Sequence, residues 1–496
     1  MLARMQRLTD MQKLWLLIAL ATATRIIFAQ TGLGIDEIYT VATSRQFVWS
    51  TYDHPPMAWW LSGAMQGLFH NHDAFVVRLP FIALSGVATW QVFALTRRLY
   101  GNQAGLFAAL AFACAPELGI TSGTWVLPDG PLLVAELACV QCLVPILLED
   151  QSTIWRWLAA GFWGGLALLS KYHGIFLFLG AGLFILTTPG QRRQLAQPAI
   201  YLGALTGLIL FSPVLIWNYE HHFASLSFQG GRLGVFRLHY LKPVLTVLGQ
   251  ALYLTPWIWL GLVLASIAAL RAPRLDLRAY LLFCLGLPQI LLFTLGSIGA
   301  SAPVLFHWAM PGYLLLFPLL GDYLARLHKA HPVLIARAAL ATALFSLFLV
   351  GAVMSLWYWP QLLTAIAVRK DPLTDMRSFK GLQNYISAQS GDATNLTIAP
   401  TSWHLTGQID YALAGRMPVT CLCADAREYG ILAPLRARMG NDFMVVTEAR
   451  NGAAYAALLP KLFAKVAPLP PLTLDLGNGH SAHFAVFDAR NLQHLP

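Results

Sequence analysis

Residues 14–37 read LWLLIALATATRIIFAQTGLGIDE, an apolar run followed closely by two adjacent acids, Asp36 and Glu37. Basic residues precede the run, and more apolar runs follow it along the chain. We therefore expect an uncleaved first membrane helix over Leu14–Phe28 and not a secretory signal. The acids open residues 31–78, which are too long to form a simple turn. This order predicts a membrane protein with polar groups gathered at one face.

The composition of the whole chain supports that class. Of the 496 residues, 57% are hydrophobic and 11% are charged, whereas a soluble chain has about 25% charged residues. The mean hydropathy of +0.58 requires many apolar segments. The net charge of +10 comes from short basic clusters between those segments. That pattern is typical of cytoplasmic loops and argues against a nucleic-acid partner.

Ten later apolar runs bring the expected number of membrane helices to about eleven, at ~20 residues per span. They centre near Ala83, Ala108, Ala138, Leu166, Phe178, Leu208, Leu260, Leu285, Leu316 and Leu347. With the basic loops inside, the cytoplasmic segments are 97–103, 149–156, 189–197, 271–279 and 326–332. The loops 31–78, 121–130, 171–173, 218–243 and 298–308 then face outward, as does the C-terminus.

Two regions outside the spans have their own patterns. In the first outward loop, residues 36–49 and the apolar residues after Pro55-Pro56 are spaced as in interfacial helices. From about Asp371 charged residues return, which predicts a transmembrane domain over 1–370 and a soluble α/β domain over 371–496. Strands are expected at Leu396–Ala399, Phe443–Thr447 and Ala482–Phe487, and helices at Met376–Gln389, Glu428–Arg438 and Ala453–Val466.

The scarce acids fall mostly in the expected outward loops, and this convergence indicates a site. Asp36 could act as a general base with Glu37 in support, although the pair also suits a helix N-terminus. Asp129, in Pro128-Asp129-Gly130-Pro131, is either a site carboxylate or part of a turn. Lys171, between two apolar runs, could hold a phosphate or simply snorkel to the membrane surface.

Other polar residues leave more than one reading open. The two prolines that follow Asp53-His54 fix the backbone, so that this pair could bind a phosphate, a metal or a sugar. The spacing of His221 and His222 with that pair specifies no metal site, and a divalent metal stays an open alternative with these four residues as candidate ligands. Cys421 and Cys423 are too close in sequence for an easy mutual disulfide, so we expect no functional role for cysteine.

Taken in order, the motifs resemble a known family, the bacterial branch of the dolichyl-phosphate-mannose–protein mannosyltransferase superfamily, with the lipid A aminoarabinose transferases as relatives. The motifs are Asp36-Glu37-x-Tyr39, Tyr52-Asp53-His54-Pro55-Pro56, Val77-Arg78-Leu79-Pro80, Pro128-Asp129-Gly130-Pro131, Leu169-Ser170-Lys171-Tyr172 and Trp217-Asn218, with a weaker His307-Trp308-x-x-Pro311.

The resemblance implies a type C glycosyltransferase fold in a bacterial inner membrane, with its active site and C-terminal domain on the periplasmic side. It implies an inverting transfer of sugar from a polyprenyl-phosphate donor to lipid A, another envelope glycolipid or a protein. Asp36 is the implied base, and Asp129 matches a second acidic position that orients acceptor or sugar. Asp53-His54 replaces a Glu-Lys pair of the aminoarabinose transferases, which leaves Lys171, Arg78 or Arg232 to hold the donor phosphate.

Two other functional classes remain as alternatives. A lipid or sugar transporter would place charges deep in its spans and would break helices at mid-membrane. A membrane-anchored sensor or assembly factor would use the C-terminal segment as its binding module. Neither alternative requires the acids of the outward loops, so replacing Asp36 separates both from the transferase.

Overall fold

The computed structural model describes residues 8–231, 238–274, 276–300, 304–362, 373–377, 379, 381–390, 396–477 and 480–496. Its contacts divide the chain into two compact units. The first unit comprises Met1–Ala29, Trp49–Ala58 and Arg78–Gly351, and the second comprises Gln30–Val48, Trp59–Val77 and Ala352–Pro496. The assignment of 1–370 and 371–496 to separate domains stays a prediction.

Helices make up most of the chain before the sheet. In chain order they are α1 Asp10–Phe28, α2 Ile35–Thr43, α3 Met57–Phe69, α4 Ala74–Tyr100, α5 Asn102–Cys114, α6 Asp129–Leu148, α7 Ile154–Ser170, α8 Ile175–Thr187, α9 Pro198–Glu220, α10 Ala224–Gly231, α11 Lys242–Leu254, α12 Pro256–Leu270, α13 Leu277–Gly296, α14 Met310–Leu314, α15 Phe317–Ala330, α16 Pro332–Tyr358 and α17 Leu382–Ser390. Short 3-10 turns at Tyr172–Gly174, Pro189–Ala196, Phe306–Ala309 and Thr374–Met376 and a π-helix at Pro116–Thr121 lie between them. Both helices expected in the first outward loop are present, as α2 and α3.

The membrane-capable helices are fewer than the sequence predicts. Among the described residues, 6 helices are long and apolar enough to cross a membrane, or 8 if each of two sharply bent pairs is one span. The count of about eleven is therefore not confirmed. Several apolar runs form helices shorter than a full span: the run at Ala108 gives the 13 residues of α5, and the run at Leu166 gives the 17 residues of α7.

Small residues bring the helices of the first unit together. A Cβ atom added to Gly161 of α7 would collide with the carbonyl oxygen of Gly203 in α9, so these two helices pack backbone against backbone. Arg25 of α1 is 2% exposed and donates hydrogen bonds to the carbonyl oxygens of Ala113 (2.9 Å) and Gly119 (2.8 Å). Arg25 thereby satisfies carbonyl groups at the π-helix after α5, where the regular ladder is broken.

The second unit contains a four-stranded sheet in the order β1-β2-β4-β3. Its strands are β1 Leu396–Pro400, β2 Asp442–Glu448, β3 Phe463–Gly477 and β4 His480–Leu492. Strand β1 pairs parallel with β2, and β4 pairs antiparallel with both β2 and β3. The helices α18 Trp403–Leu413, α19 Tyr429–Leu432 and α20 Gly452–Leu458 connect the strands. A small α/β fold at the C-terminal end is confirmed.

Two local predictions for this region are wrong. The helix expected over Ala453–Val466 ends early, and β3 begins at Phe463, because the prolines at 468, 470 and 471 suit an edge strand. Cys421 and Cys423 form a disulfide. Their Cα atoms are 5.3 Å apart, within the usual range for a disulfide, because the backbone between them is less than fully extended.

Candidate active site

A buried ion pair between Asp129 and Lys171 is the centre of the candidate site in the first unit. Asp129 begins α6 and Lys171 follows the last residue of α7. The Lys171 Nζ lies 2.8 Å from Asp129 Oδ1 and 3.0 Å from Oδ2. The side chains are only 2% and 8% exposed, so Lys171 lies inside the protein and does not snorkel. Two motifs that are 42 residues apart in sequence therefore meet at one point.

Further ionisable groups act on this pair. Glu117, in the first turn of the π-helix, has its pKa raised to about 8, first by burial and then by the charge of Asp129, while Lys171 opposes the rise. Glu136 lies deeper along α6, is 1% exposed, and its Oε2 has no hydrogen-bond partner among the described residues. Both glutamates have side chains within the electrostatic reach of the ion pair.

The Asp53-His54 turn is fixed to α10 of the same unit. The carbonyl oxygen of Asp53 accepts a hydrogen bond from Gln229 Nε2, and Tyr52 packs against Phe228 with ring centroids 4.9 Å apart. The Thr51 hydroxyl donates to the carbonyl oxygen of His54 at 2.8 Å. The rigid turn that the two prolines predict is thus held by side chains from α10.

Arg78 is a buried residue with a structural contact. It is 0% exposed, and its Nη1 donates to the carbonyl oxygen of Ala29 at 3.2 Å, just past the end of α1. Arg232, the third cation considered for the donor phosphate, lies outside the described residues.

The Trp217-Asn218 motif acts in local structure. Asn218 is 0% exposed, its amide donates to the carbonyl oxygen of Val214 at 2.9 Å, and its Oδ1 accepts from the Leu226 N–H at 3.1 Å. Asn218 therefore joins the end of α9 to α10. The hydroxyls of Tyr172 and Ser225 lie 2.7 Å apart, which ties the residue after Lys171 to α10 as well.

The histidines after α9 have local contacts. The ring of His221 stacks on Trp217 at 4.2 Å, with its Nδ1 2.8 Å from the Trp217 carbonyl oxygen. His222 has a left-handed backbone at φ 53°. In the described part of the chain, no group of three or more His, Cys, Asp and Glu side chains is placed to hold a metal ion.

Asp36 and Glu37 lie in the second unit, in the first turn of α2. Glu37 is 0% exposed, and its Oε2 accepts a hydrogen bond from the Gly34 N–H at 2.9 Å. This contact caps the helix, as the structural alternative for the dipeptide predicts. Asp36 is exposed. The two neighbouring acids thus differ in burial: Glu37 is buried, and Asp36 is exposed.

Several residues of these sites were not predicted from sequence. Glu117 and Glu136 carried a signal, since an ionisable residue next to or within an apolar run is expensive to bury. Tyr39 stood in a quoted motif without a role, and its hydroxyl accepts a hydrogen bond from the Glu428 N–H at 3.0 Å. Asp410 and Arg45, which form an ion pair in the second unit, gave no signal because their contact spans 365 residues.

Comparison with known proteins gives a consistent result. Residues 53–217 match the family model described as dolichyl-phosphate-mannose-protein mannosyltransferase. The lipid A galacturonosyltransferase RgtD of Rhizobium johnstonii is 23% identical over 298 residues, which are 58% of this chain and 59% of that protein. The chain thus matches less than two thirds of the length of this relative.

Solved structures of ArnT from Cupriavidus metallidurans share the fold. The apo structure has a TM-score of 0.62 at 15% identity, and the structure bound to undecaprenyl phosphate has a TM-score of 0.61 at 17% identity. Each comparison covers 95% of this chain and 97% of the ArnT chain. The family resemblance expected from the motifs is confirmed. The chain thus resembles the dolichyl-phosphate-mannose-protein mannosyltransferase family over residues 53–217 and shares the fold of ArnT.

Proposed function

We propose that this protein transfers a sugar from a polyprenyl-phosphate donor to a lipid or protein acceptor at the non-cytoplasmic face of a bacterial inner membrane. The observation that carries the proposal is the family match over residues 53–217. That range contains Asp129 and Lys171, which form the buried ion pair at the centre of the candidate site. Lipid A and other envelope glycolipids are the first acceptors to test, because the curated relative is named as a lipid A transferase.

In the proposed reaction, Asp36 is the general base. Its carboxylate accepts the proton of the acceptor hydroxyl while the hydroxyl oxygen forms a bond to the anomeric carbon of the sugar. The bond from that carbon to the phosphate oxygen breaks, and polyprenyl phosphate leaves with the electron pair. Attack from the face opposite the leaving group inverts the anomeric centre in one step. Glu37 supports Asp36 by capping α2.

Lys171 is the proposed partner of the donor phosphate. An ammonium group has three donors, and the Asp129 carboxylate takes at most two of them. Asp129 holds the ammonium in place, so that a third donor can meet an anionic leaving group and stabilise its developing charge. His54, Asp53, Arg78 and Arg232 stay secondary candidates for contacts to phosphate or sugar. A requirement for a divalent metal is left to experiment.

The proposed orientation follows from charge. The basic clusters at 97–103, 149–156, 189–197, 271–279 and 326–332 belong to the cytoplasmic side under the positive-inside rule. The loops that carry the acids then face the periplasm. We place residues 371–496 on the same side because α18 contacts α2, which lies in the first of those loops. The proposed polyprenyl-phosphate sugar donor is then bound at that side.

The test uses the purified full-length protein in lipid nanodiscs with a membrane-lipid extract as acceptor. We expect labelled sugar to pass to a lipid from a polyprenyl-phosphate donor but not from the matching nucleotide sugar, with or without EDTA as the test of a metal. NMR of the product is expected to show an inverted anomeric centre. Movement of intact donor across the bilayer without sugar transfer would favour the transporter instead.

A further inference from the structure

Helix α2, which carries Asp36 and Glu37, packs against the C-terminal part of the second unit through Tyr39. Tyr39 is 2% exposed, and its hydroxyl accepts a hydrogen bond from the backbone N–H of Glu428 at 3.0 Å. Its ring meets Trp403 edge-on at 5.4 Å and Tyr429 at 6.0 Å. The side chain two residues after Glu37 is therefore held by residues that lie almost 400 positions later in sequence.

The contact between the helices is close because one of them carries a glycine at the crossing point. A Cβ atom added to Gly407 of α18 would lie 3.2 Å from the Cα and 3.4 Å from the Cβ of Tyr39. Such an approach is tighter than most side chains allow. Before α2, a Cβ atom added to Gly32 would collide with the carbonyl oxygen of Met376, so the segment that leads into the helix also lies against the C-terminal part.

An ion pair joins the other end of α2 to the same helix. Arg45, two residues beyond Thr43, pairs through Nη2 with Oδ1 of Asp410, and its Nη1 lies 3.3 Å from the Asp410 carbonyl oxygen. The Tyr429 hydroxyl donates to Asp410 Oδ2 at 3.0 Å. Burial raises the pKa of Asp410, and the interactions with Arg45 and Tyr429 oppose that rise. Oδ1 of Asp410 thus binds the residue that follows α2, while Oδ2 is held by Tyr429 of the C-terminal part.

The helix depends on such contacts for its position. With nine residues, α2 is too short to be stable alone in water. Helix α3 contacts α2 through Trp59, whose Nε1 donates to the Thr43 hydroxyl at 2.8 Å, and Gln66, whose Nε2 donates to the Val41 carbonyl oxygen at 3.1 Å. Helix α18 and residues 428–429 supply the contacts from the C-terminal part.

We propose that the C-terminal part of the second unit positions the base of the transferase, with Asp410, Arg45 and Tyr429 as positioning residues for Asp36. This inference rests on the proposed function. It assigns residues 403–429 a direct part in catalytic rate rather than in acceptor recognition or assembly alone. A displacement of reacting groups by about 1 Å can lower a rate about 100-fold, so the loss of a single anchor is expected to appear in kcat.

The experiment compares Asp410→Asn and Arg45→Met with the wild-type protein in the sugar-transfer assay. We expect kcat to fall about 10- to 100-fold, while KM for the donor changes less than about 2-fold, because the proposed phosphate contact at Lys171 is not altered. The double variant is expected to lose no more than either single variant, since both remove one ion pair. Arg45→Lys keeps the charge and should restore kcat to within about 3-fold of wild type.

Controls separate positioning from general damage. Arg490→Met removes two ion pairs in the sheet of the second unit, where Arg490 lies 2.9 Å from Asp442 and 2.7 Å from Asp488. This variant should leave kcat unchanged. Amide hydrogen exchange of residues 36–44 should become faster in Asp410→Asn but not in Arg490→Met. Tyr429→Phe removes one hydroxyl and is the milder variant if Asp410→Asn does not fold, with an expected loss in kcat of about 3- to 10-fold.

Failure of the inference is distinguishable from failure of the proposed function. Wild-type kcat in Asp410→Asn and Tyr429→Phe, with Asp36→Asn inactive, would overturn the positioning role and leave the base assignment intact. Full activity of Asp36→Asn would overturn the base assignment itself. A raised KM at unchanged kcat in the Asp410 variant would also overturn the inference, because it would mean that these residues act in substrate binding.

Discussion

Replacement of Lys171 by methionine should destabilise the first unit strongly, because it leaves the Asp129 carboxylate buried without its partner. At the observed 2.8 Å, the attraction between the two charges is about 6 kcal/mol at an effective dielectric constant of about 20. Part of that attraction offsets the desolvation of both groups. The expected loss on breaking a buried pair is therefore about 3–5 kcal/mol.

That loss converts into a shift in melting temperature. A unit of about 300 residues has an unfolding entropy near 0.6 kcal/mol per kelvin, so 3–5 kcal/mol corresponds to about 5–8 °C. The assay is intrinsic tryptophan fluorescence of the purified protein in one detergent at a fixed heating rate. The matched control is Arg98→Met, which removes the bidentate pair of Arg98 with Glu149, where the side chains are 40% and 32% exposed. An exposed pair contributes less than about 1 kcal/mol, or less than about 2 °C.

A double variant completes the measurement. Lys171→Met combined with Asp129→Asn removes both charges and should melt above Lys171→Met alone, because no unpaired charge remains buried. A melting temperature for Lys171→Met within about 2 °C of wild type, as in the Arg98 control, would refute the reasoning. So would a double variant whose loss equals the sum of the two single losses.

Three further predictions concern Glu117, Glu136 and Glu37. Glu117 is protonated at neutral pH because its pKa is raised to about 8 in the folded protein. Its contribution to the free energy of unfolding is present below about pH 4.5 and is lost as pH rises toward 8, at about 1.4 kcal/mol per pH unit. The difference in melting temperature between wild type and Glu117→Gln should therefore change with pH in that window, and a constant difference would contradict the raised pKa. Glu136→Leu replaces a buried carboxyl whose Oε2 lacks a partner among the described residues and should raise the melting temperature by about 2–5 °C, whereas a decrease would indicate an undetected partner. Glu37→Gln keeps an acceptor for the Gly34 N–H and should retain most sugar-transfer activity. Glu37→Ala loses the helix cap, at a cost of about 1 kcal/mol, and should transfer sugar more slowly. An equal loss of activity in both variants would instead assign the charge of Glu37 a role in the chemistry.

The sequence predicts the class of the fold well and its finer architecture less well. Apolar runs identify membrane helices because burial in lipid requires about twenty apolar residues, yet α5 and α7 are shorter and pack through glycines such as Gly161. Strand β3 was missed because its prolines disfavour a central strand, and only the sheet order shows that it lies at the edge. The disulfide at Cys421 depends on a backbone bend that residue spacing does not reveal.

For the candidate site too, the sequence predicts individual residues better than it predicts the contacts between them. Topology and motif order were enough to select Asp129 and Lys171 separately, but not to show that each is the partner of the other. Their pairing depends on how α6 and α7 pack, which is a property of tertiary structure. At Asp36-Glu37 the sequence likewise does not reveal that the two acids differ in burial, with Glu37 0% exposed and Asp36 exposed.

The most direct test of sugar transfer from a lipid-linked donor measures the release of free polyprenyl phosphate by the purified protein, with and without acceptor. Wild-type protein is expected to release polyprenyl phosphate in an amount equal to the sugar transferred, and only when acceptor is present. Asp36→Asn should lower that rate at least about 100-fold with an unchanged melting temperature, because the acceptor hydroxyl loses its base. Release at the wild-type rate by Asp36→Asn, or no acceptor-dependent release by the wild-type protein with any polyprenyl-phosphate sugar, would contradict the proposed function.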